Sequence, residues 1–187
     1  MTAIALQTLT TERLVLRPFS VDDAARAVEI RSNWKVARML SAAPYPPNLP
    51  DDAAWIAGHA QEWRRGVAYR FAVTIGGLVI GCADVADIVG ETGELGYWLD
   101  ENWWGRGIAG EAATEVMTFA TAIGLRRLAA GHAEDNPASG RVLQKLGFLK
   151  TGERNIWSSP RGLSITQVVY GVDLPQTNSG HSAISSR

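Results

Sequence analysis

The run Gly105-Arg106-Gly107-Ile108-Ala109-Gly110 constrains this chain more than any other feature. It follows a β-prone stretch, Gly93–Leu99, after five residues, Asp100-Glu101-Asn102-Trp103-Trp104. It opens a segment, Gly107–Ile123, with Ala109, Ala112, Ala113, Val116 and Ala120 on one helical side. A glycine-rich turn into a helix exposes several backbone N–H groups, at the end where the helix carries roughly half a positive charge. Without side chains in the way, a bulky anion can approach them closely. Two phosphates suit such a place, and Arg106 adds a charged donor. The plain alternative is a tight turn with glycines kept for packing. Gly105-x-Gly107-x-x-Gly110 also spells a dinucleotide fingerprint, with Glu134 near the expected ribose position. That reading requires the glycines to follow the strand directly, and here five residues, two of them Trp, intervene.

The flanking chain predicts one domain. Its 187 residues, 46% hydrophobic, suffice for a single full core. Leu14–Arg17 is a short strand stopped by Pro18, and Ser20 with Asp23 forms a capping box for a first helix. Ala42–Pro50 holds four prolines and reads as a loop; Asp51 and Asp52 open a second helix that ends at Gly66. Arg70–Ile75 and Leu78–Ala86 form a hairpin across Gly76-Gly77, with Gly93–Leu99 as the third strand of the meander. Arg127–His132 is a short buried strand. Asn136 caps a helix, Pro137–Leu146, closed by Gly147, and Phe148–Trp157 with Ile165–Val172 makes a final hairpin. The expected class is α/β (α+β), a mixed sheet with helices on both faces. Residues 1–174 are assigned to this domain and 175–187, small and polar, to a disordered tail.

Net charge is −1 without a basic stripe, which argues against a nucleic-acid partner. No apolar run reaches the length of a membrane span, the first residues lack a signal-peptide pattern, and the single Cys82 cannot form an internal disulfide. A cytoplasmic location is the expectation, as is Cys82 as a core thiol. His59, His132 and His181 lack ligand spacing, so no metal is expected.

Leu99-Asp100-Glu101-Asn102-Trp103-Trp104-Gly105-Arg106-Gly107-Ile108-Ala109-Gly110-Glu111-Ala112 resembles the acetyl-CoA-binding motif of the GNAT superfamily of N-acetyltransferases. Trp104 stands where the usual motif has Arg or Gln. Thr11–Pro18, Gly96-Tyr97-Trp98-Leu99 and Asn136-Pro137-Ala138-Ser139 with Leu146-Gly147-Phe148 are similar to the branch of ribosomal-protein N-terminal acetyltransferases. The resemblance implies a single GNAT-like domain whose mostly antiparallel sheet splays between the fourth and fifth strands, Gly93–Leu99 and Arg127–His132. It implies acetyl-CoA as cofactor, with the phosphates on Trp104, Gly105, Arg106, Gly107, Ile108, Ala109 and Gly110. The pantetheine arm would lie along the backbone of Tyr97, Trp98 and Leu99 and the side chain of Asn136. An N–H at Leu99 or its neighbour would stabilise the tetrahedral oxyanion. The amine acceptor would be a protein or peptide N-terminus, or else a small amine such as an aminoglycoside, polyamine or amino acid. A non-catalytic acyl-CoA-binding module is the remaining reading.

An ammonium must lose a proton before it attacks. Glu94, on the strand beside the expected thioester, is the candidate base; an outward-facing surface carboxylate is its other reading. Many family members carry a tyrosine acid seven residues after the Asn, where this chain has Leu143, so Ser139 becomes the candidate that protonates the leaving sulfur, unless it is only a first-turn hydroxyl. Thr151 stands where the branch often carries a Glu. Trp34, Trp98 and His132 are candidates for the acceptor cleft, with core packing as the alternative. A homodimer through the last strand is left open.

Overall fold

The computed structural model describes residues 4–176. The assigned tail therefore lies largely outside the described residues, as does His181. Eight strands form one sheet in the order β1-β2-β3-β4-β5-β6-β8-β7: β1 Leu9–Thr10, β2 Val15–Pro18, β3 Tyr69–Ile75, β4 Leu78–Val89, β5 Thr92–Leu99, β6 Arg127–Ala133, β7 Leu149–Ser158 and β8 Leu163–Asp173. Five helices accompany it: α1 Ala24–Ser32, α2 Trp34–Ala37, α3 Leu49–Arg65, α4 Ile108–Ala122 and α5 Pro137–Lys145. No helix among the described residues is long and apolar enough to cross a membrane.

The local signals act as chemistry dictates. Ser20 accepts a bond from the Asp22 N–H, and the Asp23 carboxylate accepts one from the Ser20 N–H, which starts a single 3-10 turn ahead of α1. Gly66 and Gly147, both at positive φ, stop α3 and α5. Two starts differ from expectation. α3 begins at Leu49 rather than Asp51, because Asn48 caps it and Pro50 falls in the first turn, where a missing N–H costs nothing. The short α2 was not anticipated: Asn33 caps it on Lys35, directly after α1.

Alternation sorts the two faces. On β4, Ala83 and Val85 join Leu95, Ala112, Ala113 and Val116 in the core beneath α4. Cys82 and Asp84 turn the other way, toward α1 and α3, where Asp84 accepts from Arg70 at 2.8 Å and Arg70 also donates to Glu62 of α3. Cys82 is a buried free thiol there. This second layer holds unusual polar matter: the buried Arg31–Asp52 ion pair, and His59, whose two ring nitrogens have no partner. Burial pushes His59 down to about 4, so it is neutral at ordinary pH.

The splay is where it was expected. β5 and β6 run parallel and pair only at Thr92↔Arg127, Gly93↔Leu128 and Glu94↔Ala129; beyond Glu94 they part. β8, the last strand, is paired on both sides, by β6 and β7. Its backbone is thus unavailable to a second copy; the sheet's edge strands are β1 and β7.

Candidate active site

The gap between β5 and β6 opens into a cavity of about 550 Å³. One end is made of backbone. Asp100 accepts from the Asn102 N–H and starts a 3-10 turn, Glu101–Trp103, that absorbs the five-residue gap. Gly105 and Gly107 then sit at φ +73 and +76, a conformation that costs a residue with a Cβ about 1–2 kcal/mol. Gly107 is the N-cap of α4 and offers no side-chain cap, so the first N–H groups of this 15-residue helix have no side-chain partner. Nothing lies within 4 Å of a Cβ at Gly105 or Gly110. Arg13 braces the turn: it donates to the Arg106 carbonyl at 3.0 Å and to Glu111 at 2.7 Å. Its role was not legible beforehand, because it arrives from ninety residues away in sequence. Arg106 is not in the cavity wall; its guanidinium lies over Trp103, 5.1 Å from the ring centroid.

The middle of the cavity is the unpaired part of β5. The Asp100 N–H donates to Ile80 O at 2.8 Å, so even-numbered residues of β5 turn their backbone groups to β4. Tyr97 and Leu99 turn theirs toward the gap. The Leu99 carbonyl is taken by the Trp104 indole N–H at 2.9 Å, which explains what a tryptophan does at that position. The Leu99 N–H and the Tyr97 backbone face the cavity. Trp98, between them, also lines the cavity, while its backbone groups turn to β4. Opposite stands α5: Asn136 caps it by accepting from the Ser139 N–H at 3.3 Å, and Asn136, Ser139, Arg141 and Lys145 line the cavity. The Tyr97 phenol lies 2.8 Å from Ser139 Oγ.

The far end is built from side chains of separate segments. Val36, Met39 and Leu40, in and just after α2, form an apolar wall there. The β7–β8 turn pins them: Ser159 N–H donates to Ser41 O at 2.8 Å and Arg161 Nε to Arg38 O at 2.7 Å. Asp135 is held by Arg38 and by both Arg161 nitrogens, at 2.8 and 3.0 Å; the Arg161 bonds hold its carboxyl below the usual range. His132 lines the cavity from β6, 7% exposed, with Nδ1 2.8 Å from the Ala133 carbonyl and Nε2 toward Tyr170.

Besides Arg106, two candidates fall outside this wall. Glu94 sits at the closed end of the gap, paired with Ala86 and Ala129 on the neighbouring strands, with Arg154 at 3.7 Å and a third of its side chain exposed. Trp34 is 43% exposed and packs on Tyr45 instead, because α2 turns Val36 and Ala37 inward. No group of His, Cys, Asp or Glu among the described residues is arranged to hold a metal.

Comparison with known proteins agrees with this geometry. Residues 13–149 match the acetyltransferase (GNAT) domain family. The chain is 29% identical to the uncharacterized N-acetyltransferase p20 of Bacillus licheniformis over 174 residues, covering 89% of this chain and 96% of that protein. It is 31% identical to the ribosomal-protein-serine acetyltransferase of Escherichia coli (strain K12) over 105 residues, 54% of this chain and 59% of that one. Among solved structures, Mycobacterium smegmatis RimJ in complex with CoA-disulfide superposes with a TM-score of 0.79 at 21% identity, covering 92% of this chain and 90% of that one.

Proposed function

The chain belongs to the GNAT acetyltransferase family and is an acetyl-CoA-dependent N-acetyltransferase, and from that premise we propose that it acetylates the N-terminal α-amine of a protein or peptide. Acetyl-CoA supplies, when bound, an acyl group already activated as a thioester. The residues present fit it: an uncapped helix N-terminus behind two left-handed glycines for phosphate, two basic side chains on α5, and an unpaired stretch of β5 for an extended amide-bearing arm.

Each protein group has one task. The Leu99 N–H holds negative charge as it develops on the acyl oxygen. Ser139 Oγ carries a proton for the departing sulfur, at the N-terminal turn of α5, whose partial positive charge favours an anion there. Glu94 is not part of the cavity wall, so it is assigned the amine's proton through water. Replacing Glu94 with Gln should remove the acidic limb of the pH profile of kcat/KM; a limb that survives rules Glu94 out.

The acceptor reading rests on one observation. Asp135 is the only carboxylate in the cavity wall among the described residues, and two arginines already bind it. The far end otherwise presents Val36, Met39, Leu40 and His132. A polyamine or aminoglycoside finds no free anion there, whereas a single amine beside a small, uncharged side chain fits. The relationship to the ribosomal-protein-serine acetyltransferase supports the same class. The test is CoA thiol release with peptides beginning in Ala, Ser or Met, set against polyamines, aminoglycosides and free amino acids. Peptides should lead in kcat/KM. A polycation that outperforms every peptide overturns the proposal, and tight CoA binding with no turnover of any amine makes the chain a binding module.

A further inference from the structure

We propose that Tyr97 is the positioning residue for Ser139: its phenol donates to Ser139 Oγ and so leaves the serine's own proton directed into the cavity, toward the departing sulfur. This rests on the role given to Ser139 above.

The geometry is specific. β5 turns Gly96 and Trp98 toward α3, so Tyr97 projects to the other face, across the gap, to α5. Its oxygen lies 2.8 Å from Ser139 Oγ and 3.3 Å from the Ser139 carbonyl. Either oxygen of the 2.8 Å pair can donate, and both of the phenol's partners belong to one residue. Burial pushes the Tyr97 phenol up to about 12, so it stays protonated across the working range and has its single proton to give. The Ser139 N–H is already committed to Asn136. A serine that accepts from a phenol and whose N–H is occupied has one free valence, its own O–H. Tyr97 and Ser139 both line the cavity.

The proton balance is simple. As the N–C bond forms, the C–S bond breaks; the nitrogen loses one proton on the acceptor side, and sulfur gains one from Ser139. Ser139 recovers a proton from water at the cavity mouth. Tyr97 transfers nothing. It fixes the rotamer and the direction of the serine's hydrogen bond.

A double-mutant cycle tests this. Ser139→Ala should lower kcat about 100-fold, and Tyr97→Phe about tenfold, the worth of one hydrogen bond, both with little change in KM for acetyl-CoA. The two together should do no more than Ser139→Ala alone, because Tyr97 acts only through Ser139. A second readout needs no turnover. A proton directed at sulfur stabilises bound thiolate, so calorimetry should find CoA binding tightening from pH 7 to pH 9. Tyr97→Phe and Ser139→Ala should each flatten that rise, and desulfo-CoA should show none. If Ser139→Ala leaves kcat and the rise intact, the serine reading fails and takes Tyr97 with it. If Ser139→Ala acts but Tyr97→Phe multiplies with it, or only raises KM, Tyr97 is a wall residue and this proposal alone is overturned. Should Tyr97→Phe fold poorly by its melting temperature, 3-fluorotyrosine at position 97 keeps the ring and alters only the phenol's acidity.

Discussion

At the cofactor end of the cavity, three consecutive segments of chain, β5, the glycine turn and the start of α4, present backbone. At the acceptor end, α2, the β6–α5 loop and the β7–β8 turn meet through side chains: Arg38 and Arg161 on Asp135, with the Ser159 N–H on Ser41. The first end depends on the left-handed Gly105 and Gly107 and on the close approach of β4 to β5 at Gly81, so a Cβ at any of these three positions disturbs it. The second depends on exposed ion pairs, which contribute about 0–1 kcal/mol each and tolerate exchange. One family can therefore keep a single donor and change acceptors.

The sharpest way to break that contrast is at Gly81, on β4 behind the cofactor end. A Cβ there would lie 2.2 Å from the Trp98 carbonyl and 2.9 Å from Leu99 Cα, both backbone of β5. Gly81→Ala should cost about 3 kcal/mol or more in urea unfolding, and any folded enzyme should bind CoA poorly. Normal stability and normal CoA affinity would show that β5 is not held by that contact.

Acid should act mainly on the layer behind the acceptor end. The folded pKa of His59, about 4, is below the ordinary value of 6.5, so the unfolded chain takes up the proton first. Stability is full above pH 6.5 and falls as pH drops toward 4, by up to about 3 kcal/mol from this residue. Denaturant midpoints at pH 7, 5.5 and 4.5 measure the slope; in His59→Phe the slope through this window should shrink, and an unchanged slope would mean that His59 is not its source.

The smallest effect belongs to the acceptor latch itself. Asp135→Asn should change stability by less than about 1 kcal/mol, raise KM for a peptide acceptor severalfold, and leave CoA affinity alone. An equal effect on both substrates would show that the two ends are not separable.

The same division governs what the sequence reveals. Gly105, Gly107 and Asn136 were legible because each depends on local chemistry, a positive φ or a cap, whereas the run from Tyr97 to Leu99 was named through the family resemblance. Arg13, Asp135 and the wall of Val36, Met39 and Leu40 were not, since their partners are tens of residues away and no periodicity points to them. Trp34 and Trp98 show the limit: the same residue type, expected in the same cleft, was sorted only by which way α2 and β5 turn. Glu94 was placed on the right strand but at its closed end, because a strand's length does not say where its neighbour leaves it.

The parting of β5 and β6 after three residue pairs also bears on how the molecule holds together. The sheet is two ribbons, β1–β5 and β6–β8, laced at one end and open at the other. An extended ligand in the opening acts as a missing rung and joins them. Amide exchange should accordingly slow on both ribbons when CoA binds, including at positions that never touch it, and unfolding should become more concerted. The empty enzyme is the looser machine, and its donor completes the sheet.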